Sequence, residues 1–416
     1  GEMMKKYKNT LVMLLVSCAM VVALFATAYL MILDGAEVEE NNDNIDIVVE
    51  DLTKTEPWLL TNPSDQGVDL AQAEEIDNIS DTDFDEEIEE SIDEPVEEPI
   101  VDASVNIAGA YSDKNSLEIW EESQLIYDCT EIDYYAYVQE PVIDSKIEVA
   151  LDIINPDIEV VADAAILIDA DTKEVLFHKN ACKPLFPAST SKLLSSLVTL
   201  EWCQEDEEVI VGEEVNYIAA DSSKANIREG QILTIRNLIE GMLLPSGNDA
   251  AYVVAAYVGR KSLEDLDASG ELAVGEFVRL MNEKAESLGA INSHFKTPDG
   301  YDAIGQYTTA YDIGLIGLAS AENETILEIS NKASSRNMFP SGEDITWRNS
   351  NALVNENSGR YYPYADGLKT GTSTMAGKCL VSHTSKASKN LICVVLSSTS
   401  AGRYDDTITL LDYGLQ

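Results

Sequence analysis

Histidine, cysteine and basic residues are all scarce in this chain. The 416 residues include three His and six Cys, and no two Cys form a C-x-x-C pair. A Cys/His zinc site needs such ligands in close spacing, so the sequence gives it little support. Lys and Arg number 27 against 75 Asp and Glu, for a net charge of -48. Nucleic-acid binding depends on basic patches, so this balance argues against a nucleic-acid partner.

The cysteines also do not form the dense framework that small disulfide-stapled domains use, since the chain is long. For one pair of cysteines the sequence does not decide whether a disulfide forms. Cys379 and Cys393 flank a predicted hairpin turn and could face each other. The sequence allows either a bridge or two buried thiols at these positions.

An apolar run near the N-terminus is long enough to cross a bilayer. Residues 11–33 carry no charge and follow a cluster of three Lys in residues 1–10. A spanning helix needs about 20 apolar residues, and the positive-inside rule keeps the Lys cluster cytoplasmic. We therefore expect a single-pass anchor at the cell membrane with the rest of the chain outside. The alternatives are a cleaved signal peptide and a lipoprotein site at Cys18.

Most of the negative charge lies in one stretch. Residues 34–160 contain 39 Asp or Glu against three Lys, which is about -36 of the net -48. Like charges at this density repel, and little apolar surface remains to offset the entropy of ordering. We expect a mostly disordered acidic spacer that acts as a tether. The alternative is an interaction segment, in which Ile119, Trp120 and the Tyr134–Tyr137 cluster fold locally or dock.

From residue 161 to 416 the pattern changes to that of a globular domain. Apolar strand patterns occur at both ends, and helical patterns of period 3.6 lie between them. The predicted strands are 165–168, 175–177, 379–383 and 391–396, and the predicted helices begin near 189, 277 and 405. This order predicts an α+β fold with one antiparallel sheet packed by helices.

Three short motifs in this domain carry residues suited to acyl transfer. Ser189 and Lys192 form S-x-x-K, which places both side chains on one helical face. A serine hydroxyl becomes a strong nucleophile only when a base takes its proton, and Lys can be that base if its pKa falls. S-x-x-K alone is a weak signal, because a helix-capping Ser and a solvated Lys give the same pattern.

The other two motifs follow in order. Ser246 and Asn248 form S-x-N, which alone reads as a capped helix start. Residues 369–371 form K-T-G, which alone reads as a turn before a strand. S-x-x-K, S-x-N and K-T-G together are typical of serine enzymes that bind penicillin, both peptidases and class A β-lactamases.

The sequences around the motifs distinguish the peptidases from the class A β-lactamases. PASTSKL at 187–193, LLPSGNDAA at 243–251, HFKTPDG at 294–300 and DGLKTG at 366–371 resemble the corresponding words of low-molecular-mass D-Ala-D-Ala carboxypeptidases. The resemblance covers about 250 residues. No E-x-x-L-N type word follows S-x-N, which a class A-like β-lactamase would need. That enzyme remains the alternative, as does a catalytically inert wall-binding protein.

The resemblance implies the substrate and the roles. Peptidoglycan stem pentapeptides would lose their terminal D-Ala through a Ser189 acyl-enzyme, and β-lactams would bind covalently. Lys192 would be the base, and Ser246 and Asn248 would complete the catalytic set. The resemblance implies substrate contacts from Lys369, Thr370, Gly371, Thr372 and Arg403, although a surface role for Arg403 is the alternative. It implies no metal and no organic cofactor.

Some positions depart from the family pattern. Asp299 replaces the usual His of N-P-H-G, and Thr372 stands where many peptidases have an aromatic residue or His. His294 is expected to be a structural hydrogen-bonder rather than a base. The C-terminal β-domain and amphipathic anchor that many relatives carry are not found after the catalytic pattern, and we expect the N-terminal helix to serve as anchor instead.

Overall fold

The computed structural model describes residues 116–124, 134–135 and 137–416. Its helices are α1 (Ser116–Gln124), α2 (Ser145–Leu151), α3 (Lys192–Trp202), α4 (Ile235–Leu243), α5 (Asn248–Ser262), α6 (Gly270–Ser287), α7 (Ala310–Glu322), α8 (Glu324–Ser330) and α9 (Gly402–Gly414). Its strands are β1 (Ala164–Asp169), β2 (Val175–Lys179), β3 (Glu208–Ile210), β4 (Ile232–Thr234), β5 (Ser334–Met338), β6 (Asp344–Arg348), β7 (Lys369–Ser373), β8 (Gly377–Lys386) and β9 (Lys389–Ser398).

Five strands form the main sheet, in the order β2-β1-β9-β8-β7, with every neighbouring pair antiparallel. The strands at both ends of the domain sequence meet here, because β9 lies between β1 and β8. Leu167 pairs with Cys393, and Cys393 pairs in turn with Ser382. The predicted α+β fold with an antiparallel sheet packed by helices is therefore confirmed, and β3–β4 and β5–β6 form two further small sheets.

The two faces of the sheet bury different sets of side chains. Ile166 and Ile168 pack with the helices between β2 and β7, in the helical-face core. Ala165 and Leu167 pack with Leu410 and other residues of α9, in the far-face core. Side chains of a strand alternate between faces, and both faces are buried here, so β1 is apolar from Ala164 to Ile168 rather than amphipathic. α3 enters the helical-face core at residues Lys192 to Thr199, which are all buried.

Several predicted boundaries differ from the observed ones. The helix expected from Ser189 begins with a short 3-10 turn, Ala188–Ser191, before α3. α6 begins seven residues before the predicted start, because Ser269 caps it by accepting from Leu272 N. It ends at Ser287, followed by Gly289 with φ of 83°. The chain reverses between β8 and β9 over two residues only, so both strands are longer than predicted.

Cys379 and Cys393 are free and fully buried, so the bridge is excluded and the thiol alternative is observed. Their strands are neighbours, but Cys393 pairs with Ser382 rather than with Cys379. Cys379 also lies in the helical-face core and Cys393 in the far-face core. Side chains on opposite faces of a sheet cannot approach within the distance that a disulfide needs.

The predicted spacer, residues 34–160, extends too far toward the C-terminus. Ile119 of α1 is fully buried against α6, and Ile147 of α2 is 2% exposed. Asp144 caps α2 by accepting from Lys146 N and Ile147 N. The acidic average of this stretch conceals short helical patterns whose apolar side chains pack. The described residues before 161 therefore belong to the same compact unit as the following domain.

The expected membrane anchor, residues 11–33, lies outside the described residues, as does most of the spacer. Among the helices that the structure describes, none combines the length and the apolar character that a bilayer crossing requires.

α1 packs so closely on α6 that only glycine fits at one contact. A Cβ on Gly275 would lie 1.7 Å from Ser116 O. We expect Gly275→Ala to lower the free energy of unfolding by about 1–3 kcal/mol, because one of the helices must shift. Denaturant unfolding and limited proteolysis at α1 measure the effect. Gly359→Ala is the matched control, since no atom lies within 4 Å of its added Cβ. Equal stability of the two variants would contradict the close packing.

Candidate active site

The S-x-x-K motif lies where a strained turn enters α3. Ala188 has φ of 47°, in the left-handed region that alanine rarely adopts. Thr190 Oγ1 donates to Pro187 O at 2.6 Å, and Ser191 Oγ donates to Ala188 O at 3.1 Å. These two hydroxyls fix the turn. Ser189 itself is half-buried and lines a cleft.

Lys192 is the first residue of α3 and is fully buried. Its Nζ lies 2.8 Å from each of three oxygens: Ser189 Oγ, Asn248 Oδ1 and the backbone carbonyl of Asp299. The amide and carbonyl oxygens can only accept hydrogen bonds, whereas the hydroxyl can also donate. A neutral amine would donate to Asn248 Oδ1 and to Asp299 O, and its lone pair would then be directed at the Ser189 hydroxyl.

Burial lowers the pKa of Lys192 to about 8, although the carboxylates of Asp299 and Asp249 act to raise it. A charged ammonium loses its hydration in the interior, so burial favours the neutral form. At neutral pH a useful fraction of this lysine is therefore a free base.

Asn248 begins α5 and is held from two sides. Its backbone N–H donates to Ser223 O at 2.8 Å, and its Nδ2 donates to Ser222 Oγ at 3.0 Å. The amide is thereby oriented with Oδ1 toward Lys192. Ser246 precedes it with φ of 65° and is 8% exposed. Its hydroxyl makes no hydrogen bond to another described residue.

Strand β7 carries the K-T-G motif along the other side of Ser189. A Cβ on Gly371 would lie 3.1 Å from Ala188 Cβ and 3.2 Å from Pro187 O, so glycine lets the strand lie against the nucleophile turn. Thr370 Oγ1 is 2.7 Å from Ser350 Oγ. Thr372 lines the cleft.

Lys369 is buried at the start of β7 and its Nζ donates to Thr370 O at 3.0 Å. Burial, followed by repulsion from Lys192 and Arg403, holds the pKa of Lys369 well below its usual value. The three basic groups are thus close enough to act on one another electrostatically.

Arg403, in the first turn of α9, points at β7 rather than into solvent. Its Nη1 donates to Gly371 O at 3.3 Å and to Thr372 Oγ1 at 3.4 Å. Its guanidinium stacks on the Tyr404 ring at 4.7 Å, and Nη2 donates to the Tyr404 hydroxyl. This placement favours the site assignment of Arg403 over the surface alternative.

The cleft has a volume of about 340 Å³. Its lining includes Ser189, Asp221, Ser222, Ser223, Asn248, Gly300, Tyr301, Asp302, Thr372, Ser373 and Thr374. Five predicted site residues therefore lie together: Ser189 and Lys192 in direct contact, Asn248 against Lys192, and Gly371 and Thr372 on the facing strand. Lys369 and Thr370 belong to the same strand, and Arg403 contacts it.

The sequence interpretation missed the contribution of the segment after His294. Gly300 fits against the nucleophile turn, because a Cβ there would lie 1.9 Å from Ala188 O. Buried Asp302 accepts from Ser373 Oγ at 2.6 Å and from Met375 N at 3.0 Å, and so ties this segment to the end of β7. The quoted word HFKTPDG signalled the segment but not these contacts.

His294 has the structural role expected of it. Its Nδ1 lies 2.7 Å from Gly305 O, and its backbone pairs with Tyr307. Over residues 116–124 and 134–416, apart from position 136, no group of three His, Cys, Asp or Glu side chains is arranged to hold a metal ion.

Comparison with known proteins points to one family. The family model of D-alanyl-D-alanine carboxypeptidase, peptidase S11, matches residues 151–400. Among curated proteins, DacF of Bacillus subtilis is 28% identical over 61% of this chain and 61% of its own length. DacD of Escherichia coli is 31% identical over 62% of this chain and 64% of its own length. The chain thus spans about three fifths of the length of these relatives.

Similar solved structures indicate the same family. The Streptomyces K15 DD-transpeptidase, at 28% identity, superposes with a TM-score of 0.57 over 63% of this chain and 99% of its own. The carboxypeptidase DacD of Francisella tularensis, at 27% identity, gives 0.55 over 64% of this chain and 72% of its own. The fold is that of the DD-peptidases, and the chain belongs to the D-alanyl-D-alanine carboxypeptidase family, peptidase S11.

Proposed function

We propose that this protein is a serine D-Ala-D-Ala carboxypeptidase that removes the terminal D-Ala from peptidoglycan stem pentapeptides and binds penicillin covalently. The observation that carries the proposal is the buried Lys192 amine within 2.8 Å of Ser189 Oγ, with its other two partners restricted to accepting. Family membership supplies the substrate class.

In the proposed reaction, Ser189 Oγ attacks the carbonyl of the penultimate D-Ala while Lys192 accepts its proton. The tetrahedral oxyanion is stabilised by the backbone N–H groups of Ser189 and Thr372, on the two sides of the cleft. The peptide C–N bond breaks, and the leaving amine of the terminal D-Ala takes up a proton, relayed by Ser246. Water then hydrolyses the ester on Ser189.

The remaining residues bind and orient substrate. Asn248 keeps Lys192 oriented and hydrogen-bonds a substrate amide. Lys369 and Arg403 provide positive potential for the terminal carboxylate, whose oxygens accept from the hydroxyls of Thr370 and Thr372. Gly371 lets β7 lie against the nucleophile turn, so that the substrate backbone can bind along the strand beside Ser189.

The alternatives find less support. A class A-like β-lactamase would turn over penicillin rapidly and release no D-Ala. An inert wall-binding protein would not place a partly neutral lysine against a serine. For the N-terminal part we propose an uncleaved anchor at 11–33 and an acidic spacer that ends before the described helix α1. The catalytic unit would then work outside the membrane.

The test is mass analysis of a pentapeptide stem precursor incubated with the purified protein. We expect loss of one D-Ala and, with penicillin, a stable adduct on the peptide that contains Ser189. An added amine acceptor distinguishes hydrolysis from transfer, because the Streptomyces K15 relative is described as a transpeptidase. Rapid penicillin hydrolysis without D-Ala release would overturn the proposal.

The acylation rate should depend on pH through Lys192. Only the neutral amine can accept a proton, and burial lowers the pKa of Lys192 to about 8. Below that pH the rate constant for acylation by penicillin should rise about tenfold per pH unit, and above it the rate should level off. Stopped-flow or quenched labelling between pH 5 and 9 measures it. A rate that is flat between pH 6 and 8 would contradict Lys192 as the base.

A further inference from the structure

Part of the chain before the family-matched residues lies against the candidate active site. We call residues 134–135 and 137–142 the clasp; position 136 lies outside the described residues and is not part of it. The family match begins at residue 151, so the clasp precedes it. Neither the motifs nor the comparisons assign it a role.

One end of the clasp packs on the segment that leads to the nucleophile. The rings of Tyr134 and Tyr135 both meet the ring of Phe186 edge-on, with centroids 6.0 Å and 5.2 Å away. Phe186 is 1% exposed and lies three residues before Ser189. Edge-to-face aromatic pairs are directional, so two of them fix the orientation of this ring.

The clasp also holds the segment that provides the third partner of Lys192. Gly305 N donates to Tyr134 O at 3.4 Å, and a Cβ on Gly305 would lie 3.1 Å from Tyr137 Cβ. Further along, Val142 N donates to Asn292 Oδ1 at 2.6 Å, and Asn292 Nδ2 donates to Val142 O at 2.9 Å. The clasp therefore runs beside residues 292–305 and contacts them at three points.

These two attachments flank the strained part of the site. Ala188 is left-handed, and such a residue keeps its conformation only when its surroundings hold it. On one side it follows Phe186, and on the other it meets Gly300. Asp299, next to Gly300, accepts from Lys192.

We propose that the clasp positions Ser189 and Lys192 for acylation, with Tyr134 and Tyr135 as positioning residues that act through Phe186. This inference rests on the proposed function, in which Ser189 is acylated. It makes residues outside the family-matched part of the chain necessary for full activity.

The experiment uses the full chain with Tyr134→Ala and Tyr135→Ala combined. We expect the second-order rate constant for acylation by penicillin to fall about tenfold, which corresponds to ~1.4 kcal/mol for the two ring contacts. The loss should lie in the acylation step rather than in the initial binding of penicillin. The pair Tyr134→Phe with Tyr135→Phe keeps both rings and should restore the rate.

Tyr362→Ala is the matched control. This tyrosine is buried, and it donates to Asp412 from the far-face core, away from Phe186. It should lower the unfolding midpoint without slowing acylation by the folded protein. An equal loss of acylation in this control, or wild-type acylation in the double Ala variant, would overturn the clasp proposal.

Hydrogen exchange separates this proposal from the proposed function. Amides of 185–192 and 299–307 should exchange faster in the double Ala variant and at the parent rate in Tyr362→Ala. If the parent protein is never acylated, the proposed function fails, and exchange still decides whether the clasp orders the site. Unchanged exchange in the double Ala variant would overturn the clasp.

Discussion

Replacing Ser189 with Ala is expected to leave a folded protein that forms no covalent adduct with penicillin and releases no D-Ala from a pentapeptide. The proposed reaction passes through an ester on Ser189 Oγ, and no other group can replace that atom. Ser189 is half-buried, so the substitution should cost little stability. Labelling with fluorescent penicillin and measurement of free D-Ala test both expectations.

The matched control for this prediction is Ser320→Ala. Ser320 is also a serine on a helix, and its hydroxyl donates only to Ile316 O, four residues earlier in α7. A hydrogen bond from a serine hydroxyl to the carbonyl four residues earlier contributes little to helix stability. The control should label as the parent does. A labelled Ser189→Ala protein would place the ester on another residue, which peptide mapping would identify.

Replacing Lys192 with Met is expected to lower the acylation rate constant by a factor on the order of 10²–10⁴, the usual contribution of a general base. Methionine keeps an unbranched stem of similar length and removes the amine. Asn248 Oδ1 and the Asp299 carbonyl lose their donor, so the free energy of unfolding should also fall. Acylation and unfolding must therefore be measured on the same preparation.

Lys183→Met is the control, because the Lys183 side chain forms an exposed ion pair with Asp163. Exposed pairs of this kind contribute about 0–1 kcal/mol, so activity and stability should stay near those of the parent. The pH profile adds a second criterion. If Lys192→Met still shows a rate that rises toward pH 8, another group is the base, and the buried Lys369 is the next candidate.

The sequence predicted those parts of the site that depend on spacing along one element. Ser189 and Lys192 are three residues apart, so a helical turn brings them together without further information. The family resemblance also implied that residues 369–372 contact the substrate of Ser189, but it did not predict that they form a strand. The contact between Lys192 and the Asp299 carbonyl joins residues 107 apart through the backbone, and no side-chain identity encodes a carbonyl acceptor.

The difference between local sequence signals and long-range contacts also explains which parts of the fold were predicted. Apolar runs located four of the five strands of the main sheet, because burial on two faces leaves a strong local signal, whereas β7 was not predicted. The small hairpins β3–β4 and β5–β6 were not predicted, since they are short and partly exposed. Local folding before residue 161 was only the alternative to a disordered spacer, because a few buried side chains such as Ile119 and Ile147 lie among many acidic ones.

The two free thiols on opposite faces of the sheet provide separate reporters of how the domain opens. Both are fully buried, and burial raises the pKa of each, so neither reacts while the native packing persists. Alkylation of Cys379 requires the helical layer to separate from the sheet, whereas alkylation of Cys393 requires α9 to leave. Site-resolved alkylation kinetics therefore tell whether the layer that carries Lys192 opens before the rest or together with it.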